Sequence, residues 1–281
     1  MELKTVRYGI DAGVATVTLD RPERGNAWTG RMEAEYRWVL GELDRSPHVG
    51  VIVLTGAGQR FCVGADVRAV SANAEAGEYR SGRTEPLTQP GDPSHPAFGS
   101  RHGFLLSLSK PVVAAVNGAA AGIGFVLASF ADVRFVAEDA KLTTSTSKLG
   151  LPPEFAISWI LPRLVGVTRA TDLLLRSAVI RGREAVEIGW ALRALPAEDV
   201  LPAALAYAAT LVACSAPSSM AAVKQMVWRD LERSLSDADA DAQHALERAT
   251  RHPDFRTGAA ALAARTDPDY SGRYRPTEED R

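Results

Sequence analysis

The chain has 281 residues, 46% hydrophobic and 23% charged, with 32 basic and 34 acidic side chains and a formal net charge of −2. That ordinary composition excludes disordered, collagen-like and coiled-coil classes, and the near-neutral balance argues against a nucleic-acid partner held by bulk electrostatics. Cys62 and Cys214, the two cysteines, lie far apart and outside any C-x-x-C arrangement, so neither a disulfide framework nor a thiolate metal site is expected.

The first residues, MELKTVRYGIDAGVATV, hold no apolar signal core, and no stretch approaches ~18 uninterrupted apolar residues. A soluble, cytoplasmic protein with no membrane partner is the expectation. Residues 6–10 and 14–19 read as strands around Asp11-Ala-Gly13, which has hairpin-turn chemistry. Residues 31–44 place Tyr36, Val39, Leu40 and Leu43 at i, i+3, i+4 and i+7, the spacing of an amphipathic helix. Residues 51–54 and 112–116 are continuous apolar runs, as strands covered on both faces require. Residues 123–130 read as a buried helix and 133–136 as another strand. Strand and helix alternating in this way predict an α/β domain with a largely parallel sheet.

Residues 72–100 interrupt the alternation with Gly, Ser, Pro, Glu and Arg, which predicts a mobile loop at an active-site rim. Beyond about residue 168 strand signals fade; 155–164, 170–175, 185–192, 200–214 and 218–249 are helical in pattern. Residues 266–281 are polar and expected to fray. No internal repeat is visible. The divisions that result are a core over 1–200, a helical region over 201–265 and a tail over 266–281.

Walker, G-x-G-x-x-G, G-x-S-x-G and H-E-x-x-H motifs are absent. Ser145-Thr-Ser-Lys148 fits S-x-x-K only as chance would. The five histidines (His48, His95, His102, His244 and His252) have no metal-ligand spacing and read as surface residues, so no metal is expected. Three segments are more informative. Arg60-Phe-Cys-Val-Gly-Ala-Asp-Val-Arg68 follows the first buried strand; Lys110–Gly124 runs from a strand into a small-residue turn and a helix start; Leu149-Gly-Leu-Pro-Pro-Glu154 precedes a helix. Gly-rich turns are needed wherever strands give way to helices. Such turns also leave N–H groups unpaired, and one from each of two loops can converge on a carbonyl oxygen.

In F-C-x-G-A-D (Phe61–Asp66), K-P-V-V-A-A-V-N-G (Lys110–Gly118), L-P-R-L-V-G (Leu161–Gly166) and R-P-x-x-x-N-A (Arg21–Ala27) the chain resembles the crotonase, or enoyl-CoA hydratase/isomerase, superfamily. The resemblance runs from about residue 6 to 230. It implies a spiral of ββα units with a helical C-terminal region, a homotrimer or hexamer, and a coenzyme A thioester as substrate, with no separate cofactor. By the same resemblance the oxyanion donors are the backbone N–H groups of Ala65 and Ile123. Gly122, Asp66, Val67 and Arg68 then fall on the substrate-binding segments, and Arg24, Arg68 and the weaker Lys224 are candidates for the CoA phosphates, which suits guanidinium chemistry.

The departures separate subclasses. Hydratases of the superfamily carry glutamates at the positions of Val126 and Thr146, and water addition needs both a base and an acid. Neither residue supplies them. Glu154 remains, in the P-E context in which Δ3,Δ2-enoyl-CoA isomerases keep a single carboxylate, among apolar neighbours that would raise its pKa. Glu154 can also be read as a first-turn helix acid after proline. An isomerase of unsaturated acyl-CoA is the leading function; the alternatives are other thioester chemistry, such as hydration, hydrolysis or dehalogenation, and non-catalytic acyl-CoA binding.

Overall fold

The computed structural model describes residues 1–78 and 87–274. The chain opens with an antiparallel hairpin, β1 (Val6–Asp11) and β2 (Val14–Leu19), paired from Val6↔Leu19 to Asp11↔Val14. Its two-residue turn puts Ala12 and Gly13 in the left-handed region, the conformation that matches strand twist. Helix α1 (Gly30–Arg45) starts where the Thr29 hydroxyl accepts the Met32 N–H.

Three units of one design follow. The first is β3 (Val51–Gly56), β4 (Arg60–Cys62) and α2 (Val67–Ala76); the second is β5 (Val112–Val116), β6 (Ala119–Ala121) and α3 (Ile123–Ser129); the third is β7 (Val133–Ala137), β8 (Leu142–Thr143) and α4 (Ile157–Val165). First strands of each unit enter a six-stranded sheet of order β1-β2-β3-β5-β7-β9, parallel except for the β1–β2 pair, whose last strand is β9 (Arg193–Leu195). Second strands form a separate parallel sheet, β4-β6-β8. The architecture is thus a mixed α/β spiral of ββα units. The repeat is structural and leaves no visible sequence period.

Between α4 and β9 lie α5 (Val167–Arg176) and α6 (Gly182–Glu187); α7 (Ala197–Cys214), α8 (Pro217–Asp230), α9 (Leu235–Arg251) and α10 (Pro253–Ala264) complete the helical region. Helix α7 lies across β2, β3, β5, β7 and β9, burying Val200, Ala204, Ala208 and Val212 at i, i+4, i+8 and i+12.

Several expectations need correction. The polar stretch from residue 72 begins as helix α2, and residues 79–86 of it lie outside the described residues. Its later part is pinned: Arg37 donates to the carbonyls of Thr88 and Arg101, each at 2.7 Å, and to the Gln89 side chain. The run 218–249 is two helices, since α8 ends near Asp230 and Ser234 caps α9 by accepting the Asp237 N–H. Strand β9 and the three short strands β4, β6 and β8 were not legible as strands. Tyr270 and Tyr274, in the stretch expected to fray, are buried, and the Tyr270 hydroxyl donates to the Asp254 carbonyl at 3.1 Å; residues 275–281 lie outside the described residues.

Candidate active site

The parallel pairing of β4, β6 and β8 sets their C-terminal ends side by side. Each of the three informative sequence segments leaves one of those ends: Gly64–Asp66 follows β4, Gly122 and Ile123 follow β6, and Glu154 lies on the stretch from β8 to α4. Ligands of α/β folds gather outside the carboxyl ends of parallel strands, where connecting turns converge.

Proximity of the first two turns is explicit. A Cβ built on Gly122 would meet the Cα of Gly64 at 3.8 Å, and one built on Gly64 would meet the Ala121 carbonyl oxygen at 3.3 Å. Gly122 holds φ 50° and ψ −120°, a combination that an L residue with a side chain resists. Gly124 is required by space instead, because a Cβ there would lie 2.1 Å from the Cys62 carbonyl oxygen. Among the described residues, the N–H groups of Ala65 and Ile123 donate to no backbone or side-chain acceptor. Gly122 itself donates to Thr143 O at 3.0 Å, which joins the second turn to the end of β8. The next residues, Thr144 and Thr146, are buried and their hydroxyls have no hydrogen-bond partner.

The R-P-x-x-x-N-A segment braces the first turn. Asn26, buried and left-handed at φ 57°, donates to the carbonyls of Ala57 and Arg60 at 2.9 and 2.7 Å and accepts the Arg21 N–H at 2.9 Å. Val63 donates to Gly25 O, Trp28 to Gly64 O, and Asp66 to Trp28 O. Asp66 caps α2 through the Arg68 N–H and pairs with Arg21 at 3.3 Å. Its carboxylate therefore braces the turn. Val67, Arg68 and Arg24 are exposed on its flank.

Aromatic side chains connect that turn to Glu154. The Trp28 ring stands 5.8 Å from His102, and His102 stands 4.9 Å from Phe155, both edge to face. Glu154 is half-buried and lies before α4, whose N-cap is Ala156. The first-turn helix acid is thus excluded. Phe155 and Ala156 are both left-handed, at φ 53° and 58°, so the chain reverses sharply just after the carboxylate. Burial pushes the Glu154 carboxyl up, and the Arg101 guanidinium opposes that rise. Val126 and Thr146, where hydratases carry glutamates, are 4% and 5% exposed.

Two sequence readings are revised. Lys224 is 3% exposed at its side chain, donates to the Lys110 carbonyl at 2.9 Å and pairs with Asp132 at 2.8 Å. A buried cation held by this partly exposed carboxylate fastens α8 to the sheet and does not reach out to a phosphate. His95 and His102 are buried, not surface, residues. Nothing in the local sequence marks Arg101 and His102 as neighbours of the Glu154 turn, or Trp28 as the ring behind His102; they come from two separate segments.

Comparison with known proteins adds to this geometry. The profile of the enoyl-CoA hydratase/isomerase family matches residues 9–273. The 1,2-epoxyphenylacetyl-CoA isomerase of Escherichia coli is 32% identical over 265 residues, covering 94% of this chain and 97% of that protein. A Rhodobacter capsulatus protein named "Probable enoyl-CoA hydratase" is 35% identical over 284 residues, covering 97% and 100%. The crystal structure of an enoyl-CoA hydratase from Polaromonas sp. JS666 superposes with a TM-score of 0.80 at 27% identity, covering 94% of this chain and 98% of that one.

Proposed function

The chain belongs to the enoyl-CoA hydratase/isomerase family of acyl-CoA enzymes, and from that premise we propose that it moves the double bond of an unsaturated acyl-CoA from C3 to C2, with Glu154 as its acid–base group. The observation that carries this reading is one half-buried carboxylate whose affinity for protons burial has raised, in a chain where buried Val126 and Thr146 stand at the positions of both hydratase carboxylates.

The chemistry follows from the placement. Removal of a proton from C2 sends negative charge onto the thioester oxygen. The N–H groups of Ala65 and Ile123 stabilise it, each such donor being worth on the order of 10²–10³ in rate. The same carboxyl returns the proton at C4, so one group suffices where water addition needs two. CoA enters as part of the substrate, its phosphates against the exposed Arg24 and Arg68. Hydration is the second reading, favoured by the hydratase names of relatives.

Incubating the protein with 3-enoyl-, 2-enoyl- and saturated acyl-CoA and identifying products by mass and retention separates these readings. Conversion of 3-enoyl- to 2-enoyl-CoA is the expected result. Rapid formation of 3-hydroxyacyl-CoA from the 2-enoyl substrate would overturn it in favour of hydration, and no turnover of any substrate in favour of binding alone.

A further inference from the structure

The turn that carries Glu154 cannot hold its own shape. Two consecutive non-glycine residues, Phe155 and Ala156, sit in the left-handed region, where an L residue stays only if its surroundings impose it. Within the turn, the Glu154 carbonyl accepts the Ile157 N–H at 3.1 Å. The Ala156 carbonyl accepts the Trp159 and Ile160 N–H groups, and further restraint comes from the segment before the second unit. His102 meets the Phe155 ring edge to face at 4.9 Å and 84°, and the Arg101 guanidinium lies 5.1 Å from the centre of that ring. Arg101 is itself fixed: Nε and Nη2 donate to the two oxygens of Glu33 at 2.9 and 2.6 Å. Glu33 is only 1% exposed, on the rigid helix α1.

We propose that Arg101 is a positioning residue for Glu154: clamped by Glu33, its guanidinium lies on Phe155 and sets where the neighbouring carboxyl stands. The proposal rests on the reading of Glu154 as the base. A planar fork can bind a carboxylate with one edge and offer its face to a ring, which an ammonium cannot do. The same cation opposes the effect of burial on Glu154. Among the described residues, the charged and titratable groups at this turn include Arg101, Glu33 behind it, and His102 against Phe155. Arg101 thus bears on the position of the base through Phe155 and on its proton affinity by opposing burial.

The test compares Glu154 titration in the full-length protein carrying ¹³C at the glutamate carboxyls, with Glu154→Gln identifying the signal. Losing Arg101 alone would strand the buried Glu33 carboxylate, so the variant used is the paired Glu33→Gln, Arg101→Met, which removes both charges. Its Glu154 midpoint is expected to rise, because the cation that opposes burial is gone, with saturated acyl-CoA affinity within about twofold of wild type. An unmoved midpoint would overturn the proposal. Should that variant not fold, Arg101→Lys decides, since it keeps the charge beside Glu33: kcat for 3-enoyl-CoA is expected to fall about tenfold or more with KM unchanged, and a full kcat would overturn the proposal. A wild type inactive on 3-enoyl-CoA refutes the reaction proposed above, and the midpoint comparison still decides the role of Arg101.

Discussion

Glu154 must be ionised to take a proton, and burial lifts its carboxyl above the ordinary glutamate value although Arg101 restrains the rise. The acidic limb of kcat/KM for 3-enoyl-CoA should accordingly lie above the ~4.3 of a free glutamate, with activity lost as pH falls through it. A limb at the ordinary value would show that the base is another group or stands in water. Arg68 follows the cap of α2 and is exposed beside the first turn. Arg68→Glu should raise KM for acyl-CoA far more than it lowers kcat, because a phosphate contact is the same in ground and transition states. A pantetheine thioester without the nucleotide should be nearly unaffected. At the scale of single residues, Ala65, Ile123 and Glu154 could be singled out because each stands in a specific motif. The sequence was silent on His102, Arg101 and Trp28, which reach the site by folding and belong to no short pattern. Lys224 was misread because a lysine on a helix gives no sign that a carboxylate, Asp132, waits opposite it.

Elements were legible in proportion to their length. The five- and six-residue apolar strands β3, β5 and β7 announce themselves as buried parallel strands. By contrast β4, β6 and β8 have two or three residues each, too few to show any period, yet their pairing is what brings the three site turns together. Helix α2 was hidden because none of its residues is buried, so no apolar stripe marks it. On α1 the periodic face is as expected, but its other sides are covered too, since Glu33, Glu35 and Arg37 each hold a distant segment. Burial alone would raise the Glu35 carboxyl, yet bonds from Thr5, Arg31 and Lys4 outweigh it and leave the group below its ordinary value. The stability it contributes is present at neutral pH and is lost as pH falls through the folded value. Acid unfolding of Glu35→Gln should thus show a smaller loss of stability with falling pH than wild type; identical pH dependence would place the contribution elsewhere. For the α8 anchor, Lys224→Met should cost about 1–3 kcal/mol in denaturant unfolding, because Asp132 is only partly buried and keeps the Val112 N–H and Trp228 Nε1 as donors. Acyl-CoA affinity in the folded fraction should hold. A large loss of affinity with full stability would return Lys224 to the phosphate site.

At the scale of the molecule, three ββα units follow one design, and the candidate site lies where the segments after β4, β6 and β8 leave the small sheet. That the spiral could be expected at all came from resemblance in four short motifs, because the repeat has no sequence period. The helical region leaves Val223 and Val227 exposed one turn apart on α8, with Leu235 and Leu246 exposed on α9 and Leu262 on α10, a surface that the trimer or hexamer implied by the resemblance would cover. Sedimentation should find three or six copies; a single ~30 kDa species at micromolar concentration would contradict that assembly. The central claim is narrower: one carboxylate moves the double bond. It is tested most directly by kcat for 3-enoyl-CoA in Glu154→Gln, which keeps the shape of the side chain and cannot take the proton. The account predicts a fall of roughly 10²–10⁴, the loss typical of a missing general base, with saturated acyl-CoA still bound. Retention of more than about a tenth of wild-type kcat would contradict it.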